Sequence, residues 1–229
     1  MLRVQDATVN ISGFTILRGV NLEVPSGAVV GLIGRNGAGK TTTLRSIMGL
    51  VRLTSGAIEL DGQDLTQLPP HARAELGIGY MPEDRRLIPT LSVEENILIP
   101  VWARRIQDAD GRLATIYEAI PEVKALATRP ATQLSGGQQK LVALARCFMS
   151  GGKLLLLDEP FEGVAPSLVQ RLVRAVRELC AAEGGVSALL CESEFKWPRL
   201  LATQIYLIER GETTMEAAPA ASMPTGGRA

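Results

Sequence analysis

Eight residues, Gly34-Arg35-Asn36-Gly37-Ala38-Gly39-Lys40-Thr41, restrict this chain more than any other stretch. They fit G-x-x-x-x-G-K-[ST], between the apolar run Ala28–Ile33, which reads as a buried strand, and Thr41–Met48, which can wind as a helix that stops at Gly49. Strand, loop and helix in that order are the context the motif needs. Glycines let the backbone curl until successive N–H groups face one concavity, and the positive end of the following helix adds to the pull on phosphate oxygens. Lys40 would reach the outer phosphates, and the Thr41 hydroxyl would ligate Mg²⁺. The expected ligand is a nucleoside triphosphate. A glycine-rich turn without a ligand is the other reading, and the agreement of both flanks weighs against it.

Composition narrows the classes. The 229 residues suffice for a full core, as one large domain or a core with a subdomain. Lys+Arg and Asp+Glu are both 24, so the formal charge is zero. With no long basic run, the chain carries no footprint for nucleic acid or anionic lipid. Cys147, Cys180 and Cys191 are odd in number and form no C-x-x-C pair, which predicts reduced, buried thiols in a cytoplasmic protein and no zinc site. Neither a secretory leader nor a membrane span is expected. His71 is the only histidine.

Alternating apolar positions in residues 1–30 predict antiparallel strands, and Ala57–Asp64 another strand closed by an Asp-Gly turn. A short buried strand over Leu76–Met81 ends in the loop Pro82–Arg86. Ser92-Val93-Glu94-Glu95 fits a capping box that opens a helical region running to about residue 150, with breaks at Pro100, Gly111, Pro121 and Pro130. Leu141, Leu144, Ala145 and Phe148 mark one apolar face of a helix opening at Leu134–Gln139. Leu168–Leu179 reads as an amphipathic helix, Val186–Cys191 and Gln204–Ile208 as strands, and the end of the chain, without periodicity, as a disordered tail.

Two further motifs carry chemistry. Leu154–Leu157 is a fully buried strand, so Asp158-Glu159-Pro160 emerges at its carboxyl end, where parallel α/β sheets meet ligands. Asp158 is placed to support magnesium and Glu159 to take a proton from water. A solvated acidic turn is the plainer reading of two acids alone, and the phosphate loop upstream counts against it. Ser135-Gly136-Gly137-Gln138 exposes N–H groups and a hydroxyl at a helix start, an anion site by the same physics, although an isolated Ser-Gly-Gly is more often an ordinary cap.

The order of phosphate loop, Ser-Gly-Gly and Asp-Glu resembles the ATP-binding cassette (ABC) family over residues 1–212. Within it, the stretches Tyr80–Arg86, Leu134–Leu141 and Asp158–Pro166 look most like ATPase subunits of importers for branched-chain and other hydrophobic amino acids, with urea or short-amide importers next. The resemblance implies an α/β fold: a P-loop NTPase core with a mainly parallel sheet, an antiparallel β-subdomain and an inserted helical subdomain at about 88–150, ahead of a tail at 213–229. It implies that Gly34, Arg35, Asn36, Gly37, Ala38, Gly39, Lys40, Thr41 and Thr42 bind ATP. Ser135, Gly136, Gly137 and Gln138 would then close over the γ-phosphate held by a second cassette subunit, identical or different, in a head-to-tail dimer. Thr41, Asp158 and Glu83 would attend Mg²⁺, with Glu159, Lys40 and Ser193 catalytic. Separate permease subunits would meet the helical region and the Glu83 loop at the inner face of a bacterial cell membrane, with a substrate-binding protein as an indirect partner.

The chain departs from that pattern in several places. Glu83 stands where most cassettes have glutamine, Ser193 where many have a histidine against the γ-phosphate, and Val164-Ala165-Pro166 where many have an aspartate. Ile11 occupies the place of the aromatic that stacks on adenine, with Phe14 the nearest aromatic and as plausible in the core. Trp102 and Trp197 are expected in packing or at an interface. Two other functions belong to different classes. One is a DNA-maintenance ATPase, opposed by the short spacing from Thr41 to Ser135 and the zero charge; the other is a non-hydrolytic clamp, motivated by Glu83 and Ser193 and opposed by Glu159.

Overall fold

The computed structural model describes residues 1–104, 106, 108–181 and 185–216. β1 (Leu2–Ile11) and β2 (Phe14–Val24) pair antiparallel, and β3 (Val29–Ile33) runs into α1 (Lys40–Ile47). β4 (Ser55–Leu60) and β5 (Gln63–Asp64) extend the first pair into a sheet ordered β2-β1-β4-β5. After α2 (Pro70–Glu75) and β6 (Ile78–Met81) come α3 (Val93–Ala103), α4 (Ala109–Ala119), α5 (Pro121–Ala125) and α6 (Gly136–Ser150). The chain returns through β7 (Leu154–Asp158), α7 (Pro166–Ala181), β8 (Ser187–Glu192), α8 (Pro198–Leu201), β9 (Gln204–Glu209) and β10 (Glu212–Glu216).

The second sheet is ordered β10-β9-β3-β8-β7-β6, parallel except for the β9–β10 hairpin. Its continuous apolar runs follow from burial on both faces. Leu155, Leu157, Ala188 and Leu190 join the core under the helices, while Leu154, Leu156, Leu189, Val30 and Leu32 join the core shared with the antiparallel sheet and α1. At Gly79 the chain passes so near α6 that a Cβ would lie 2.2 Å from the Cys147 carbonyl oxygen, which is why β6 can lie directly against that helix.

The helical insertion breaks at Pro121 and Pro130 as expected and departs from the expectation at Pro100 and Gly111. The Ser92–Glu95 capping box is present, with the Glu95 amide donating to Ser92 Oγ at 3.2 Å and the Ser92 amide to Glu95 Oε2 at 2.7 Å. Pro100, however, lies inside α3. With only three residues left in the helix, the hydrogen bond it omits costs the element little length. Gly111 opens α4 instead of breaking a helix, donating its amide to the Asp108 cap at 3.2 Å. Pro121 begins α5, where a first-turn proline fits, and Pro130 precedes a turn of 3₁₀ helix over Ala131–Gln133.

The tail expected from residue 213 is also corrected. Arg210 (φ +50°) and Gly211 (φ +83°) form a two-residue turn with both residues left-handed, the geometry that favours a hairpin, and residues through Glu216 pair with β9. Thr213 Oγ1 donates to the Asn21 carbonyl at 2.8 Å and fastens the hairpin to β2. The rest of the expected tail, 217–229, lies outside the described residues. Phe14 is not core: it and Ile11 face each other across the β1–β2 turn, 73% and 42% exposed. Trp197 is half-buried with its ring 6.4 Å from that of Phe161, whereas Trp102 is exposed.

Candidate functional site

Register brings the chemistry together. In the parallel sheet Ile33 pairs with Glu192, Asp158 with Cys191 and Met81 with Leu157, so the chain leaves β3, β6, β7 and β8 at one edge, carrying Gly34, Glu83, Glu159 and Ser193. The loop Gly34–Gly39 leads from β3 into α1, the strand–loop–helix order its sequence predicts. Gly34 admits no side chain, since a Cβ would lie 2.3 Å from the Ile208 carbonyl oxygen, and Gly39 turns the loop into α1 at φ +118°. A cleft of about 340 Å³ is lined by Asn36, Gly37, Lys40, Thr41, Thr42, Glu83, Glu159 and, from β2, Ile16. Ser193 and Arg35 line the adjoining hollow of about 600 Å³.

Lys40 is 4% exposed and wholly engaged. Its ammonium lies 2.6 Å from the Gly34 carbonyl, 3.2 Å from that of Arg35, 3.0 Å from Ser193 Oγ and 3.0 Å from Glu159 Oε1. Ser193 Oγ also lies 2.9 Å from Glu159 Oε1 and 2.9 Å from Asn36 Oδ1. A hydroxyl has one proton, so it serves Glu159 as donor only if the Asn36 amide is turned over to donate from Nδ2; the three protons of the Lys40 ammonium are then shared among four acceptors. Burial pushes the Glu159 carboxyl up, but the Lys40 ammonium and the Ser193 hydroxyl outweigh it and hold the group below the ordinary carboxylate range. Glu159 is thus an ionised acceptor, clamped by the Lys40 ammonium.

Asp158 differs. Thr41 donates to its Oδ1 at 3.1 Å and Tyr80 to its Oδ2 at 3.3 Å. Burial raises its pKa, and the charges of Glu83 and Glu159 raise it further against those two hydrogen bonds. A buried acid crowded by two others suits a divalent cation. Among the described residues no group of three or more His, Cys, Asp or Glu side chains encloses a metal; magnesium is commonly held by one or two protein oxygens together with substrate phosphates. Asp158 and the Thr41 hydroxyl fit that role, with Glu83 on the same cleft.

Ser135 caps α6 through a box not foreseen in the sequence, although S-x-x-Q announces it: Ser135 Oγ accepts from the Gln138 amide at 3.3 Å, and Gln138 Oε1 from the Ser135 amide at 2.9 Å. Ser135 and Gly136 are exposed, and none of Ser135–Gln138 lines the cleft at Lys40. The Glu83 loop is tied to the same helix. Arg85 Nη1 donates to Gln139 Oε1 at 3.0 Å, and half-buried Arg146 donates to the carbonyls of Arg85 and Arg86, both left-handed. These ties, with Tyr80 and Ile16, escaped sequence reading because partners 54–78 positions away leave no local pattern.

The family model described as ABC transporter matches residues 17–162, more than half of the chain. The branched-chain amino acid transport ATP-binding protein BraG of Pseudomonas aeruginosa is 35% identical, over 90% of this chain and 87% of its own. The lipopolysaccharide export ATP-binding protein LptB of Escherichia coli K12 is 34% identical, over 90% and 86%. A crystal structure of a nucleotide-free ATP-binding cassette from an ABC transporter superposes with a TM-score of 0.83 at 26% identity, covering 96% of this chain and 92% of that one. With a phosphate loop, an acid pair at the strand edge and a P-loop NTPase fold of mixed sheets and helices, the chain belongs to the ABC transporter family as an ATP-binding, ATP-hydrolysing cassette.

Proposed function

We propose that this cassette powers an importer of branched-chain or other hydrophobic amino acids, passing the work of ATP hydrolysis to separate permease subunits at the inner face of a bacterial membrane. The observation that carries the hydrolytic half is the contact of Lys40, Glu159 and Ser193 beside Asp158. ATP would take Lys40 for its outer phosphates and free Glu159 to accept a proton from water, with Ser193 giving the γ-phosphate one hydrogen bond where an imidazolium would give charge as well. Mg²⁺, when bound through Thr41 and Asp158 with Glu83 nearby, would neutralise phosphate charge. Ile11 or Phe14 would pack on the base. Because Ser135 and Gly136 face outward, the reading needs a second cassette subunit to present its own Ser135 tip to this cleft.

The cargo is supported by the likeness of Tyr80–Arg86 and Asp158–Pro166 to that importer subfamily and by BraG; LptB, at nearly equal identity, keeps an export subunit as the second reading. The ATPase unit would extend through Glu216. No helix among the described residues is long and apolar enough to cross a membrane, so permeases would supply the path. The deciding experiment replaces the chromosomal copy by a Glu159→Gln variant and measures uptake of labelled leucine and labelled urea. Loss of leucine uptake alone supports the proposal; loss of urea uptake alone favours the short-amide reading, and a lipopolysaccharide defect with leucine uptake intact refutes import.

A further inference from the structure

The hydrolytic chemistry leaves two buried charges without a task. Lys140, on α6, is 3% exposed, and Glu192, at the end of β8, is 4% exposed. Among the described residues Lys140 has no carboxylate within 4 Å, so its charge is not spent on an ion pair. Its ammonium instead donates to the Glu159 carbonyl at 2.7 Å and to the Glu162 carbonyl. Glu192 Oε1 accepts from the Phe161 amide at 3.0 Å. Both charges therefore act on the backbone of one turn, residues 159–162.

That turn starts in an uncommon conformation: Glu159 has φ +46°, in the left-handed region that a non-glycine residue keeps only where its surroundings over-determine it. The Glu159 amide donates to the Cys191 carbonyl at 3.0 Å, fixing one side. Lys140 holds the other side and the far end, and Glu192 holds the middle. We propose that Lys140 is the positioning residue for the Glu159 carboxylate, and that with Glu192 it holds the left-handed turn on which that carboxylate stands. The inference rests on the proposed role of Glu159 as base. It also makes one rigid unit of the base and the helix whose tip is Ser135. An ammonium buried this way loses its hydration, so charge-assisted bonds to two carbonyls, and the field of Glu192, must offset it.

The test uses the full chain in single-turnover phosphate release, with nucleotide affinity read separately by a fluorescent non-hydrolysable ATP analogue. Lys140→Met keeps the stem and removes the donor. A carboxylate displaced by about 1 Å loses on the order of 10²-fold in rate, so turnover is expected to fall ten- to a hundredfold with affinity within threefold. In a Glu159→Gln background the same substitution should cost less than a further threefold, because Lys140 acts through the carboxylate already lost. Lys140→Gln, which keeps an uncharged N–H donor, should recover part of the rate and serves as the test if Lys140→Met does not fold. Turnover within threefold of wild type, or a full tenfold loss repeated in the Glu159→Gln background, overturns the proposal. Undiminished turnover in Glu159→Gln alone would instead remove the base reading on which it rests.

Discussion

The ion pair between Lys40 and Glu159 makes an unusual demand on a nucleotide site, because the lysine that should meet phosphate is already occupied, at 3.0 Å, with both side chains less than a tenth exposed. Nucleotide must displace a charged partner before it binds. Glu159→Gln replaces that partner with a neutral amide of the same shape. Lys40 keeps its charge, so the amide retains a bond at the low end of the roughly 1.5–3 kcal/mol that hydrogen bonds to charged groups contribute, and the substitution releases up to about 1.5 kcal/mol of competition. Removing the carboxylate also removes its repulsion of the triphosphate, which acts in the same direction. Affinity for a non-hydrolysable ATP analogue should therefore rise on the order of tenfold, since ~1.4 kcal/mol is tenfold. Hydrolysis should fall 10²–10⁴-fold, the usual worth of a general base. Fluorescent-analogue titration at nanomolar protein and phosphate release under saturating ATP read the two effects independently. Weaker analogue binding by the variant would refute the competition argument, and hydrolysis within threefold of wild type would refute the base.

Two other outcomes follow from the same contacts. Ser193→Ala removes one hydrogen bond to Glu159 and one from Lys40; a loss of about 0.5–1.5 kcal/mol corresponds to roughly two- to tenfold slower phosphate release with analogue affinity little changed, and an unchanged rate would dismiss the γ-phosphate contact. Burial, with the charge of Glu159 behind it, pushes the Glu192 carboxyl up to about 7 from an ordinary 4.5. The folded chain thus binds more protons than the unfolded one between those values, and the stability this adds is complete below pH 4.5 and lost as pH rises through 7, up to about 3 kcal/mol in all. Glu192→Gln, which mimics the protonated form, should gain on wild type in melting temperature between pH 5 and pH 8, and a constant difference across that range would contradict the shift.

How far the sequence discloses this molecule depends on the range of the interactions involved. The phosphate loop, the Leu154–Leu157 strand with its two acids and the Ser92–Glu95 cap are local patterns, and each stands where it was expected. Pro100 misleads because a proline near a helix end forfeits little, and Phe14 because an aromatic beside a turn can be carried off the sheet as readily as into it. The β10 strand had its signal in Arg210-Gly211, a two-residue hairpin turn that calls for a returning strand. Lys140, Glu192 and Tyr80 were silent, since their roles exist only when β6, β7, β8 and α6 are packed together.

The account depends on ATP being clasped between the Lys40 loop of one cassette and the Ser135 helix tip of another. Light scattering of the hydrolysis-blocked Glu159→Gln protein, with and without Mg²⁺ and ATP, tests this most directly. The account predicts a species of twice the chain mass only with nucleotide, abolished when Ser135→Arg is added. A protein that stays monomeric with ATP at every concentration, or a dimer indifferent to Ser135→Arg, would contradict it.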